Sequence, residues 1–175
     1  MSKCKVCRAE FVKRSITHKC CGPDCAAEWA KLEREKVERR TLKARKAAIK
    51  TRSQWLKEAQ AAFNAWIRHR DSKLPCISCG RFHTGSWDAG HYRSVGAAPE
   101  LRFHEDNVHR QCVPCNQHKS GNAVEYRIRL INRIGVDRVE YLEQKHDAAR
   151  YTIEDAIRIK AEYKQKLKNL GSQNE

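Results

Sequence analysis

An α+β fold, mainly helical, is predicted by three features of the 175-residue sequence. From residue 26 to 70 there is neither Gly nor Pro, and Ala, Leu, Glu, Lys and Arg dominate, so helix is the default. Residues 81–94 instead mix Phe82, His83, Trp87, His91 and Tyr92 with Gly85 and Gly90, which suits a short β-hairpin. Two C-x2-C pairs, Cys76/Cys79 and Cys112/Cys115, bracket that β-segment and close a loop that would otherwise be loose. The predicted organisation is an N-terminal cysteine module (1–25), a long basic helix (26–71), a cysteine-clamped core (72–122) and C-terminal helices (123–175).

With 36 Lys+Arg against 21 Asp+Glu, a net charge of +15 and a pI near 9.6, the expected partner is a polyanion, nucleic acid before others. Eight of the nine cysteines fall into CxxC or CxxxC pairs, which suit either disulfides or metal thiolates. The start Met1-Ser-Lys-Cys4 lacks the apolar core of a signal peptide, and no run approaches the roughly 18 apolar residues of a membrane span. A reducing, cytoplasmic setting is therefore expected, without a membrane, and metal thiolates win over disulfides.

In the N-terminal module, Cys4 and Cys7 are followed after 13 residues by Cys21 and Cys25, a Cys4 zinc set. Cys21 is preferred to the adjacent Cys20 because Cys21-Gly-Pro-Asp-Cys25 has the Gly and Pro of a tight turn leading into a helix. His18 is the alternative fourth donor. A module this small has almost no core, so metal would supply folding free energy on the order of 10 kcal/mol. With all four positions filled by protein, this zinc acts as a staple.

Helix follows, with a break expected near residues 51–53; unbroken it would be about 70 Å long. Residues 31–57 hold 11 basic and 3 acidic side chains, and before Trp55 the large apolar positions are only Leu32, Val37, Leu42 and Ile49. That is too sparse to bury a face, and the excess of one sign suggests a phosphate track along Arg39, Arg40, Lys43, Arg45, Lys46 and Lys50. Further on, Trp55, Ala59, Phe63 and Ile67 repeat every four residues, flanked by Leu56 and Trp66. This stripe should pack on the clamped core.

In that core the second Cys4 zinc set has 32 residues between its knuckles. Val95-Gly-Ala-Ala-Pro99 is a breaker cluster, Leu101-Arg-Phe103 a strand candidate, and residues 106–112 lead back to the second knuckle. Beyond it, a helix over 122–133 should bury Val124, Ile128 and Ile131 and stop at Gly135. Val136, Val139 and Leu142 mark a short helix. Thr152-Ile-Glu-Asp155 starts a last helix carrying Ile153, Ala156, Tyr163, Leu167 and Leu170. Its apolar stripe offers a surface for pairing two subunits, while Arg127, Arg129, Arg133, Lys164, Lys166 and Lys168 would widen a DNA surface. Residues 171–175 read as a frayed tail.

The order knuckle, Asp/His, Asn, knuckle, helix resembles the zinc-bound HNH (ββα-metal) nucleases. Gly90-His91-Tyr92, Leu101-Arg102-Phe103, Asn107-Val108 and Gln111-Cys112-Val-Pro-Cys115-Asn116, followed by Ser120-Gly-Asn122, resemble the phage NinG (Rap) family of recombination nucleases across most of the chain. The Cys-x-x-Cys-Asn step is similar to that of endonuclease VII-type junction resolvases. The resemblance implies a Mg- or Mn-dependent endonuclease acting on branched DNA such as Holliday junctions and D-loops, inside a bacterial host and alongside other recombination proteins. It implies His91 as the base, Asp88 and Asn116 as ligands of the catalytic ion, Asn107 as the residue that orients the loop or the histidine, and Lys119 as a DNA contact. In many HNH nucleases ligand and base are adjacent, whereas Ala-Gly separates Asp88 from His91 here; His83 and His118 are the alternative ligands. Two other readings stand beside it, a non-catalytic zinc adaptor that binds nucleic acid and a sequence-specific HNH nicking enzyme.

Overall fold

Thr51 stops the long basic helix. Its hydroxyl accepts from the backbone N–H of Gln54 (3.3 Å) while the Gln54 side chain accepts from the N–H of Thr51 (2.8 Å), so a new helix starts inside a run of good helix formers. The expected break is thus real, and two helices result, α1 (Pro23–Ala48) and α2 (Arg52–Arg70). The computed structural model describes residues 1–171, and the chain divides between Lys50 and Thr51 into two units.

In the first unit, β1 (Ser2–Lys3) pairs antiparallel with β2 (Glu10–Phe11), and the cysteine knuckles lie on either side of β2. Helix α1 begins at Pro23, three residues before the expected start, because a ring that presets φ and lacks an N–H suits the first helical position. Every side chain of α1 is at least partly exposed, with Val37 at 58% and Leu42 at 53%, as its sparse apolar pattern requires.

In the second unit, β3 (Trp87–His91) pairs antiparallel with β4 (Val108–Cys112), from Trp87 opposite Cys112 to His91 opposite Val108. This corrects the expected hairpin within 81–94. The partner strand lies beyond a loop with two 3-10 turns, Pro99–Leu101 and Glu105–Asn107, so the Leu101–Phe103 strand is also absent. Leu101 and Phe103 are buried as anchors of a turn that Pro99 opens.

Helix α2 buries Leu56, Ala59, Ala62, Phe63, Trp66 and Ile67. They meet Ala156, Ile159 and Tyr163 of α5 (Ile153–Gly171) and, on the ribbon side, Ala89, Phe103 and Val108. The stripe therefore packs on the core as expected, and α5 covers it too. Thr152 and Asp155 cap α5 reciprocally, N–H of Thr152 to the carboxylate (3.0 Å) and N–H of Asp155 to the hydroxyl (3.1 Å).

The other face of the ribbon meets α3 (Ala123–Ile134). Tyr126 and Leu130 are its buried residues, joined with Ile77, Leu101 and Val139 and Leu142 of α4 (Val136–Glu143). Val124 (74% exposed) and Ile128 (52%) point away, which corrects the face assigned from periodicity. The phase of α3 is fixed instead from outside the helix, by the packing of Tyr126 and Leu130 in this cluster and by the Tyr126 hydroxyl donating to the Gly90 carbonyl (2.9 Å). Gly135, at φ +88°, ends α3. Of the expected tail, Gly171 closes α5 and residues 172–175 lie outside the described residues. No helix among the described residues is long and apolar enough to cross a membrane.

Candidate functional site

Two groups of cysteines converge. The sulfurs of Cys76, Cys79, Cys112 and Cys115 lie within 4.8 Å of one another, and so do those of Cys4, Cys7, Cys21 and Cys25. Among the described residues these are the groups that bring three or more His, Cys, Asp or Glu donors together. Cys20 stays outside its set, buried beside Cys4, so the preference for Cys21 agrees with the geometry.

In each set one sulfur, Cys76 or Cys4, has surroundings that suit a thiolate. Burial alone would push the Cys76 thiol up, yet backbone N–H groups of Cys112 (3.3 Å), Cys79 and Ser78 aim at it and hold it below the usual range. Cys4 is brought to about 5 in the same way, against burial, by the N–H groups of Val6, Cys7 and Cys21. Cys112, by burial, and Cys25, by the sulfurs of Cys21 and Cys7 beside it, are instead pushed up to about 12; the convergence of four sulfurs is what fits zinc, and it leaves no open position for chemistry. Around the second set, His83 Nε2 sits 3.2 Å from Cys79 Sγ, the Trp87 ring meets His83 edge-on, and the Arg110 guanidinium lies 3.7 Å above Trp87. His83 is therefore committed to the cysteine cluster. At Gly80 the left-handed φ of +68° is what requires glycine, and the Arg129 guanidinium, which donates to the Ser78 carbonyl (3.0 Å), lies over it.

His91 ends β3, half-buried. Its Nε2 lies 3.0 Å from the Arg102 carbonyl, which can only accept, so the proton sits on Nε2 and Nδ1 keeps its lone pair. Burial pushes its pKa below 6.5, so the ring is neutral at physiological pH. Arg102 is in turn fixed by Gln60 on α2 (2.8 Å), and Tyr92 binds Glu143 on α4. Asn107 is fully buried and holds the loop after His91 from both ends. Its amide donates to the carbonyls of Arg93 (3.0 Å) and Leu101 (3.1 Å) and accepts from the Arg93 N–H (2.8 Å). It thereby positions the Arg102 carbonyl, and through it the imidazole.

Asp88 belongs to a different group. Its Oδ2 accepts from Asn116 Nδ2 (2.8 Å) and Gln117 Nε2 (2.9 Å), both on a π-helical turn over Pro114–His118 that starts one residue before Cys115. Strand alternation puts Asp88 on the face toward that turn and His91 on the opposite face, about 10 Å further along β3 at the usual rise per residue. The structure thus unites Asp88 with Asn116, adds Gln117, and separates both from His91. Parity does place Asp88 on the same face as Gly90, the residue next to the base. Nothing larger than Gly fits there, because a Cβ would fall 1.9 Å from the Gln111 amide oxygen. His118 and Lys119 are exposed at the end of the turn, which leads into left-handed Ser120, Gly121 and Asn122.

A buried polar network supports the ribbon from behind. Asp71 accepts from Arg70 (2.7 and 2.9 Å) and the Arg110 N–H (3.0 Å), which outweigh burial and lower its pKa. His109 is driven down to about 3, chiefly by burial, and stays neutral. Gln111 donates to Ser78 Oγ and the Gly121 carbonyl (both 2.6 Å), tying β4 to the first knuckle and to the turn before α3. Sequence reasoning missed Arg102, Gln111, Gln117 and Asp71. Gln111, beside Cys112 in a strand, and Gln117, beside Asn116, were the legible ones, as polar residues flanking ligands.

The DNA-contact candidates Arg39, Arg40, Lys43, Arg45 and Lys46 are exposed on α1, and Lys50 follows it half-buried.

The family model described as "Bacteriophage Lambda NinG protein" matches residues 1–174. "Protein ninG" of Escherichia phage lambda is 50% identical over 182 residues, 94% of this chain and 89% of that protein. "Protein ninG" of Escherichia phage 933W is 49% identical over 187 residues, covering 96% and 92%, and that of Salmonella phage P22 is 50% identical over 182 residues, covering 94% and 90%. No solved structure matches the chain.

Proposed function

The chain belongs to the NinG family of bacteriophage proteins, and on that premise we propose that it is a metal-dependent endonuclease that hydrolyses phosphodiesters in branched DNA. The observation that carries this reading is His91, a neutral imidazole at a strand end with one nitrogen anchored on a carbonyl and the other left as a proton acceptor. An HNH-like ββα core is the finer description we give to β3, β4 and the turn and helix after Cys115, with zinc at both Cys4 sets as a staple.

Within this reading His91 takes a proton from water at Nδ1. Asn107 and Arg102 keep its tautomer, and the basic surface draws in the polyanion. Asp88 and Asn116 are the oxygen donors that would hold Mg or Mn, a set of one carboxylate plus amides that suits an ion keeping several waters. An ion held there, on the face of β3 opposite His91, would supply counter-charge for DNA phosphates. Incubating the zinc-loaded protein with labelled Holliday junctions, D-loops, flaps and plain duplex, with Mg or Mn, tests the proposal. Cleavage confined to branched substrates is expected.

The separation of His91 from Asp88 favours one other reading, a zinc module that binds nucleic acid without cutting it, and failure to cut any substrate in that panel would establish it. Asn116→Ala should lower cleavage in a way that higher Mg or Mn partly restores, and Asp88→Asn should do the same if the carboxylate is a ligand. An Asp88→Asn protein with unchanged activity and ion dependence would remove Asp88 from the site.

Replacing Arg39, Arg40, Arg45 and Lys46 with Gln should weaken DNA binding and flatten its dependence on log[salt] by roughly one unit of slope for each phosphate that is no longer neutralised. An unchanged slope would make α1 a solvated helix only.

A further inference from the structure

The N-terminal unit contains a cavity of about 830 Å³, walled in part by Cys20 and Cys21, whose aromatic and basic lining neither cysteine set nor the phosphate track explains. It lies beside the Cys4–Cys25 set, between the strand residue Phe11, the loop carrying Arg14 and His18, and the first turns of α1 up to Trp29. Three properties define what it can hold. Its walls offer aromatic surface, since Trp29 and Phe11 line it and the Phe11 ring meets His18 edge-on at 5.0 Å. Its charge has one sign, since Arg14 and Lys19 line it with no Asp or Glu among its described lining residues, whereas the smaller depression further along α1 carries Glu33 and Glu38. It also presents a fixed donor, because His18 Nδ1 accepts from the Arg14 N–H (3.2 Å), which leaves Nε2 as the ring's N–H. Lys19 Nζ, 6.0 Å from the centre of the Trp29 ring, sits where a cation can serve both the ring and a phosphate.

A flat apolar face beside cations, with a hydrogen-bond donor, is the chemistry that binds an unstacked nucleotide, base on the ring and phosphate on the cations. The volume falls in the ~300–1,000 Å³ range of small-molecule sites, ample for one base with its sugar. We propose that this cavity captures an unpaired nucleotide of a DNA strand, with Trp29 as the stacking surface and Lys19 and Arg14 as the phosphate contacts. Unpaired bases occur where strands branch or part, so the pocket gives the protein a means of telling such DNA from plain duplex. The inference rests on the DNA-binding part of the function proposed above and not on cleavage.

The test uses the full-length, zinc-loaded protein and two hairpin duplexes, one with a single unpaired 2-aminopurine and one with the same base paired. Wild-type protein should bind the unpaired form about ten-fold or more tightly than the paired one, the worth of one base–aromatic stack, and should change its 2-aminopurine fluorescence. Trp29→Leu keeps bulk and apolar character but removes the stacking face. It should abolish both the preference and the fluorescence change while keeping paired-duplex affinity and full zinc content. Lys19→Gln, which leaves the ring in place, should weaken the unpaired complex more than the paired one, and it decides the matter if Trp29→Leu loses zinc. Equal affinity of wild type for the two hairpins, or a preference that survives these substitutions, would overturn the proposal. So would displacement of the DNA by free AMP at matching concentration, which would assign the pocket to a soluble nucleotide. Protein that prefers the unpaired base yet cuts nothing would sink the nuclease reading and leave this one standing; protein that cuts junctions without a Trp29-dependent preference would do the reverse.

Discussion

His91→Ala protein should bind branched DNA as the wild type does and cut it about 10²- to 10⁴-fold more slowly, the usual contribution of a positioned general base. The ring is half-buried and outside the apolar clusters, and its removal frees one carbonyl at Arg102, costing about 1 kcal/mol of stability. Folding and zinc content should therefore survive, which makes the rate loss attributable to chemistry. The pH profile gives an independent check. A base must be neutral to accept a proton, and burial lowers the pKa of His91 below 6.5, so the acid limb of the rate should fall below pH 6.5. Wild-type cleavage by folded, zinc-replete His91→Ala protein would refute the mechanism.

Removing metal should have the largest effect on stability. Two zinc ions per chain are expected, and Cys112→Ser should leave one. Cys112 closes the loop that holds β3, β4 and the π-helical turn, and its N–H also supports the Cys76 thiolate. Structural zinc supplies on the order of 10 kcal/mol, so even partial loss should lower the melting temperature by about 10 °C or more and abolish cleavage. In the first unit Cys21→Ser should lose a zinc and Cys20→Ser should keep both. Elemental analysis showing the opposite pattern at those two positions would reassign the ligand.

The sequence by itself determined what rests on local chemistry and spacing. C-x2-C and C-x3-C pairs can place four sulfurs around one ion whatever the rest of the fold does, and both sets converge as their spacing required, with Cys21 rather than Cys20. A helix of good formers with too few apolar residues had to lie exposed, and its break fell near residues 51–53 as the sequence indicated, while the Thr51–Gln54 cap that makes it was seen only in the structure. The tertiary structure decided what depends on residues meeting across long stretches of chain. The partner of Trp87–His91 is 17 residues downstream of His91, since strand pairing follows from what the intervening turns bring opposite, and no short-range pattern encodes that. Which face of α3 is buried was set by Tyr126 and Leu130 packing with Ile77, Val139 and Leu142, and by the Tyr126 hydroxyl reaching the Gly90 carbonyl, contacts that lie outside the helix. At the site, Asp88 and His91 read as a pair along the sequence. The two-residue period of a strand sends them to opposite faces, so Asp88 finds Asn116 and Gln117, and His91 finds the Arg102 carbonyl that fixes which of its nitrogens is free.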